Sequence, residues 1–111
     1  MPPAKYKLAY LRAADSDLAE IFNYIAVELG APEAAGRLLD KIEEAVTGLK
    51  TFPYAHKLYP AEVNTEPFEF RALVVESYLA LYYVTGDTVT IARVIYDRRD
   101  IQRILSKADQ L

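Results

Sequence analysis

The stretch of sequence that decides the fold is residues 68–96, FEFRALVVESYLALYYVTGDTVTIARVIY. It contains three runs rich in β-branched, aromatic and aliphatic residues, which predict strands over residues 68–75, 78–84 and 88–96. The links between these runs have two and three residues, the usual lengths of β-hairpin loops. The stretch therefore predicts an antiparallel meander of three strands.

Two stretches before the meander carry apolar residues at helical spacing. The first runs from Leu18 to Leu29, with Asp15 and Asp17 as predicted N-caps and Gly30 as the predicted stop. Asp17 and Glu20 also resemble a capping box in which an acid replaces Ser or Thr. We therefore expect a first amphipathic helix with these carboxylates at its N-terminus.

The second helical stretch follows about three residues later. Pro32 suits its first turn, apolar positions recur from Ala35 to Leu49, and Pro53 stops the helix after about Thr51. Because the connection is so short, the two helices are expected to form an antiparallel hairpin.

The remaining segments complete the predicted order of elements. Alternation over residues 5–11 predicts a strand at one edge of the sheet, and Asp97 can begin a last helix. Residues 52–67 contain three prolines and no clear period, which indicates a surface connection. The order β-α-α-β-β-β-α predicts an α+β fold, a helical hairpin packed on a mainly antiparallel four-stranded sheet. Residues 1–111 are expected to form a single domain, because this length is short for two.

Composition excludes several classes of protein. The chain has no cysteine, which excludes disulfides and thiolate zinc sites, and its one histidine, His56, makes a histidine-based metal site or triad improbable. No apolar run approaches the roughly 20 residues that span a bilayer, and the N-terminus lacks the apolar core of a secretory signal. Phosphate-loop, G-x-S-x-G, H-E-x-x-H and EF-hand motifs are absent. We therefore expect a cytoplasmic protein with no cofactor, no metal and no membrane partner.

Charge is unevenly distributed along the chain. The net charge of −3 argues against a generic nucleic-acid binder. Residues 89–107 nevertheless carry five positive and two negative side chains. Arg98 and Arg99 would lie beside free backbone N–H groups of the last helix and could bind an anion or an acidic partner. The alternative is that the neighbouring Asp97 and Asp100 neutralise them locally.

Alternation along the strands predicts which face each side chain occupies. In the first strand of the meander the expected helix-facing residues are Phe68, Phe70, Ala72 and Val74. Glu69 and Arg71 would then lie on the other face. In the last strand, the residues that would share a face with Arg93 are Val89, Ile91 and Ile95. An arginine among such neighbours must pair, snorkel or face a partner, and Glu69 or Glu76 is the expected acid.

Four stretches of the chain resemble the RelE/ParE superfamily of type II toxin–antitoxin toxins, also called plasmid stabilisation proteins. They are the ADSDLAEI of residues 14–21, the LKTFP of 49–53, the FRALV and YLALYYV of 70–84, and the IARVIYDRRD of 91–100. The likeness spans about residues 5–105. It implies a neutralising antitoxin that wraps the toxin, normally encoded by a neighbouring gene, and hence a hetero-oligomer.

The resemblance implies two possible activities. RelE-like members cleave mRNA in the ribosomal A site without a metal, and the candidate catalytic residues here would be Arg71, Arg93, Tyr96 and Arg98. ParE-like members poison DNA gyrase. Residues that would contact the target or the antitoxin are then Arg93, Arg98, Arg99, Arg103, Tyr78 and Tyr83.

Two features favour the ParE side. RelE-like toxins often carry an arginine directly after the tyrosine of the middle strand, where this chain has Leu79. The acidic net charge also suits ribosome binding poorly. We therefore predict a growth-inhibiting toxin that poisons gyrase. The alternatives are a ribosome-dependent endoribonuclease and an inactive remnant that only binds an antitoxin.

Overall fold

The computed structural model describes residues 5–58 and 68–96, and within them it confirms the predicted α+β class. A helical hairpin packs on a four-stranded sheet, while the helix predicted after Asp97 lies outside the described residues. The elements, in chain order, are β1 (Lys7–Tyr10), α1 (Arg12–Asn23), a π-helical turn (Tyr24–Glu28), α2 (Pro32–Thr47), a 3-10 turn (Gly48–Lys50), β2 (Arg71–Val75), β3 (Tyr78–Thr85) and β4 (Thr88–Ile95). None of the described helices is long and apolar enough to cross a bilayer.

The strands lie in the order β1-β4-β3-β2, so β1 and β2 form the two edges of the described sheet. β2, β3 and β4 make the predicted antiparallel meander, and β1 joins it parallel to β4. Each hairpin has a two-residue loop, with Glu76 at φ 53° and Gly86 at φ 60°. Tight hairpin turns require such positive φ angles, because only then does the turn match the twist of the strands.

Both helical segments end where the sequence predicts, but the first of them begins earlier than predicted. α1 begins after Leu11, which lacks a side-chain cap, and Asp15 and Asp17 lie inside the helix, so the capping prediction is wrong. At its other end the chain passes through the π-helical turn and stops at Gly30, whose φ is +63°. α2 begins at Pro32 as predicted, and the 3-10 turn extends it to Lys50.

The main core lies between the helices and one face of the sheet. α2 contributes the buried side chains of Leu38, Ile42 and Val46, followed by Leu49 from the 3-10 turn. They pack in one cluster with residues of the sheet, which include Tyr82, Val89 and Ile91. Burial of these apolar side chains is the main source of stability, at roughly 1.5–3 kcal/mol for each large one.

The predicted faces of β2 are wrong. Leu73 and Val75 belong to the helix-side cluster, whereas Phe70 and Ala72 pack on the opposite face. The reason is that β2 is apolar on both faces, so that period-two alternation does not distinguish them. Because Arg71 lies two residues before Leu73, alternation assigns it to the helix-side face of β2 and not to the opposite face that the sequence predicts.

A β-bulge changes the faces of β4. Tyr82 pairs with Ile91 and Leu81 pairs with Arg93, so Ala92 is the extra residue. As a result Ile95 packs on the opposite face from Val89 and Ile91. The prediction that all three share one face with Arg93 is therefore wrong.

Candidate functional site

Arg93 is held by a carboxylate of α1. Its Nε lies 2.7 Å from Asp17 Oδ2 and its Nη2 lies 2.9 Å from Asp17 Oδ1, a bidentate pair. Asp17 Oδ2 also accepts a 2.9 Å hydrogen bond from the backbone N–H of Val94. One carboxylate thus accepts hydrogen bonds both from the arginine and from the backbone N–H of Val94. This N–H lies on the edge of β4 beyond Ile91, where the pairing with β1 has ended.

Arg93 pairs with an acid, one of the outcomes that the sequence left open, but the expected partners Glu69 and Glu76 are wrong. Glu76 instead accepts a 2.6 Å hydrogen bond from Lys41. The hydrogen bonds to Asp17 raise the pKa of Arg93 above its usual range, burial opposes the rise, and the charges of Asp17 and Glu20 add to it. The signal that could have identified the pair is the position of Asp17 in the stripe between Ala14 and Ile21, where a carboxylate faces the core.

Arg71 is engaged in a different way. Its Nη1 donates to the carbonyl oxygens of His56 at 2.7 Å and Tyr54 at 3.4 Å. Its guanidinium carbon lies 5.0 Å from the centroid of the Tyr54 ring, within range of a cation–π contact. Arg71 therefore fastens the segment after α2 to the edge of the sheet.

Tyr82 fastens the same segment from the core. Its hydroxyl donates a 2.6 Å hydrogen bond to the carbonyl oxygen of the buried Pro53. Burial raises the pKa of Tyr82 to about 12, and the positive charge of Arg71 opposes that rise in part. His56 contacts the Tyr82 ring edge-on, with 6.3 Å between the centroids. His56 is thus a packing residue of this corner.

A groove of about 760 Å³ runs between α1 and the end of β4. Asp17, Glu20 and Arg93 line its polar part. Its apolar walls are formed by Ile21, Ile25 and Leu29 on one side and by Val94, Tyr96 and Tyr78 on the other. The rings of Tyr78 and Tyr96 meet edge-on at 5.2 Å. Burial, followed by the neighbouring Tyr96 and Tyr24, raises the pKa of Tyr78.

The structure brings only some of the predicted site residues together. Arg93, Tyr78 and Tyr96 line the same groove. Arg71 lies on β2, two strands from β4 and therefore about 10 Å away across the sheet. Tyr83 packs against Phe68, with 4.2 Å between the ring centroids, and against Phe70 at 5.7 Å.

Three further predicted contact residues, Arg98, Arg99 and Arg103, lie outside the described residues. Within residues 5–58 and 68–96, no group of three His, Cys, Asp or Glu side chains is placed to hold a metal ion.

Comparisons with known proteins agree with this architecture. Among solved structures, the chromosomal ParDE toxin–antitoxin system from P. aeruginosa matches with a TM-score of 0.69 and 24% identity, over 86% of this chain and 100% of that one. The toxin–antitoxin complex RelBE2 from Mycobacterium tuberculosis matches with a TM-score of 0.59 and 20% identity, over 84% of this chain and 92% of that one. Both share the fold. No curated protein matches the sequence significantly.

The class of protein that the sequence predicts, a toxin of the RelE/ParE superfamily, is confirmed by a family model. A family model described as the ParE toxin of the type II toxin–antitoxin system parDE matches residues 8–101. Because that match covers most of the chain, this protein belongs to the ParE toxin family.

Proposed function

We propose that this chain is a toxin that inhibits growth by binding and poisoning DNA gyrase, and that a cognate antitoxin neutralises it. The observation that carries the proposal is that both Arg71 and Arg93 form hydrogen bonds within the chain, to the His56 carbonyl and to the Asp17 carboxylate. Both belong to the set of cations that a nuclease of this fold would need.

Metal-free RNA cleavage requires a base, an acid and cations that converge on one phosphate. Arg93 has its Nε and one terminal nitrogen bonded to Asp17, while Arg71 is directed at the backbone carbonyls of the loop after α2. Leu79, where RelE-like toxins often carry an arginine, is buried with 1% exposure. These three positions favour a toxin that acts by protein–protein contact.

The groove between α1 and β4 suits the antitoxin. Tyr24 and Leu29 remain 54% and 58% exposed at its rim, which is unusual for large apolar side chains unless a partner covers them. Apolar walls on both sides of a groove suit an amphipathic helix that lays its apolar face into it. Because Arg93 neutralises Asp17, Glu20 is the acid of the groove that would select an antitoxin segment with a basic side chain beside its apolar stripe.

The target is decided by one experiment. The toxin is induced, and cleavage of transcripts and supercoiling by purified gyrase are assayed in parallel. We expect intact transcripts and inhibited supercoiling. Cleaved transcripts with normal supercoiling would contradict the gyrase proposal and favour the ribosome-dependent endoribonuclease, while undisturbed growth would favour the inactive remnant.

The antitoxin is tested by stability. A ligand that binds only the folded state at 100 times its Kd raises the free energy of unfolding by about 2.7 kcal/mol. We expect the small protein encoded beside this gene to raise the melting temperature of the purified toxin accordingly. An unchanged melting temperature at saturating concentration would refute the antitoxin proposal.

A further inference from the structure

The segment that follows α2 exposes large apolar side chains outside the groove. Phe52 is 68% exposed, Tyr54 57% and Leu58 46%. Tyr54 lies under the guanidinium of Arg71, and Leu58 forms a β-bridge with the same residue, so the two side chains belong to one patch. Exposed apolar side chains that gather in one short segment mark an interaction site more often than scattered single residues do.

This segment is held rigidly by residues from three other parts of the fold. Tyr82 bonds the carbonyl of Pro53 from the core, and Arg71 bonds that of His56. Backbone hydrogen bonds from Tyr6 to Lys50 at 2.8 Å and from Ala72 to Lys57 at 3.1 Å fix its two ends. A surface that is already ordered loses little conformational entropy when a partner binds, so its contacts contribute fully to affinity.

The charge around the segment is opposite to that of the whole chain. Lys50 and Lys57 belong to the segment, and Lys5 and Arg71 adjoin it, against the acid Glu69, on a protein of net charge −3. None of the three lysines forms an ion pair with another described residue. A basic rim around exposed apolar side chains complements an acidic protein surface with an apolar pocket, since such rims steer the encounter and the apolar centre supplies affinity.

RNA fits this surface less well. Single-stranded nucleic acid is bound by aromatic rings that stack successive bases along a basic groove. Leu58 offers no ring to stack on, and the Tyr54 ring carries Arg71 near one face. The acidic net charge also opposes a long polyanion.

We propose that Phe52, Tyr54, Lys57 and Leu58, the loop surface, dock on an acidic patch of the target enzyme. The inference rests on the proposed function for the identity of that enzyme. None of these four residues lines the groove proposed for the antitoxin, so the target and the antitoxin use separate surfaces.

The test uses a double variant of two exposed residues, Phe52→Ser with Lys57→Glu. The matched control is Phe22→Ser with Arg37→Glu, which likewise removes an exposed ring and reverses an exposed positive charge, on the helical hairpin and outside the groove. Supercoiling by purified gyrase, growth after induction, melting temperature and affinity for the antitoxin are measured for the wild type and both variants.

We expect the loop variant to need about 30-fold more protein than the wild type for half-inhibition of supercoiling, the size of one hot-spot loss. Its melting temperature and antitoxin affinity should match those of the wild type, and the control should behave as the wild type throughout. Inhibition by the loop variant at wild-type concentration would overturn the inference and leave the gyrase proposal standing.

Two other outcomes separate the inference from the proposed function. If the wild type spares gyrase but arrests growth, the gyrase proposal fails. The inference then holds if the loop variant no longer arrests growth, and it falls if the arrest persists. Binding of a labelled single-stranded 12-mer RNA by the wild type, lost in the loop variant, would overturn the protein partner in favour of nucleic acid.

Discussion

Arg71 and Arg93 lie on strands of the same sheet, yet they stabilise two different corners of the molecule. Arg93 meets a carboxylate of α1 and closes the groove, while Arg71 meets backbone carbonyls and an aromatic ring and fastens the loop surface. In sequence both are single arginines within apolar strands. The difference teaches that an arginine in such a strand need not mark a site of chemistry, because each of these two has a structural partner.

The largest effect is expected at the Arg93 corner. Asp17→Ala leaves a guanidinium and the Val94 N–H without their acceptor, so we expect unfolding to become easier by about 3 kcal/mol, as for other broken pairs of low exposure. Urea denaturation measures this loss. Lys41→Ala, which breaks the exposed pair with Glu76, is the control and should cost less than about 0.5 kcal/mol. Equal losses in the two variants would remove the distinction between the pairs.

A charge placed in the groove should weaken antitoxin binding, whereas a charge placed on the loop surface should leave it unchanged. Leu29→Glu places a charge on the apolar wall of the groove, and we expect antitoxin affinity to fall by about 30-fold, a loss of about 2 kcal/mol. Leu58→Glu makes the same change on the loop surface and should leave that affinity unaltered. Isothermal titration of both variants decides the matter. A larger loss in Leu58→Glu would place the antitoxin on the loop surface.

A smaller effect is expected at the Arg71 corner. Arg71→Met keeps an unbranched apolar stem but loses the hydrogen bonds to His56 and Tyr54, at a cost of about 1.5 kcal/mol in unfolding free energy. Amide hydrogen exchange over residues 52–58 should accelerate more than exchange in α2. Arg37→Met, an exposed change on α2, is the control and should alter neither. Unchanged exchange in the loop would show that Arg71 does not fasten it.

The smallest effect is expected from the hydroxyl of Tyr82. Tyr82→Phe removes one hydrogen bond to Pro53 and should cost about 1 kcal/mol at neutral pH. Burial raises the pKa of Tyr82 from 10.0 to about 12, so the neutral phenol is favoured in the folded state.

That shift also sets a pH dependence. The contribution of Tyr82 is complete below pH 10 and declines as the pH rises towards 12. The stability difference between the wild type and Tyr82→Phe should therefore shrink across this window in denaturation curves. A difference that stays constant up to pH 12 would contradict the assignment.

Local patterns predicted most of the elements because their causes are local. The helical spacing from Ala35 to Leu49, with Pro32 before it, placed α2, and Gly30 marked the end of the preceding helical segment, since a positive φ suits glycine there. The short links between the strand runs predicted both hairpins, although the second loop has two residues and not the predicted three. The resemblance to the superfamily indicated the family.

The candidate site depended on contacts that no local pattern encodes. The sequence predicts Asp17 as a helix cap because acids favour that position. The helix in fact begins at Arg12, and the Asp17 carboxylate pairs with Arg93, 76 positions away. The faces of β2 depend on burial on both sides of the sheet. The faces at the end of β4 depend on the bulge at Ala92, which simple alternation along the sequence does not reveal.

The sequence by itself thus determined the helices, the meander and the family, because periodicity, turn residues and composition act over a few positions. Only the tertiary structure decided what the two arginines of the meander do. Their partners come from α1 and from the segment after α2, and these reach them through the strand order and the bulge. That arrangement holds both guanidinium groups within the fold and leaves the groove and the loop surface as the faces that we propose for partners.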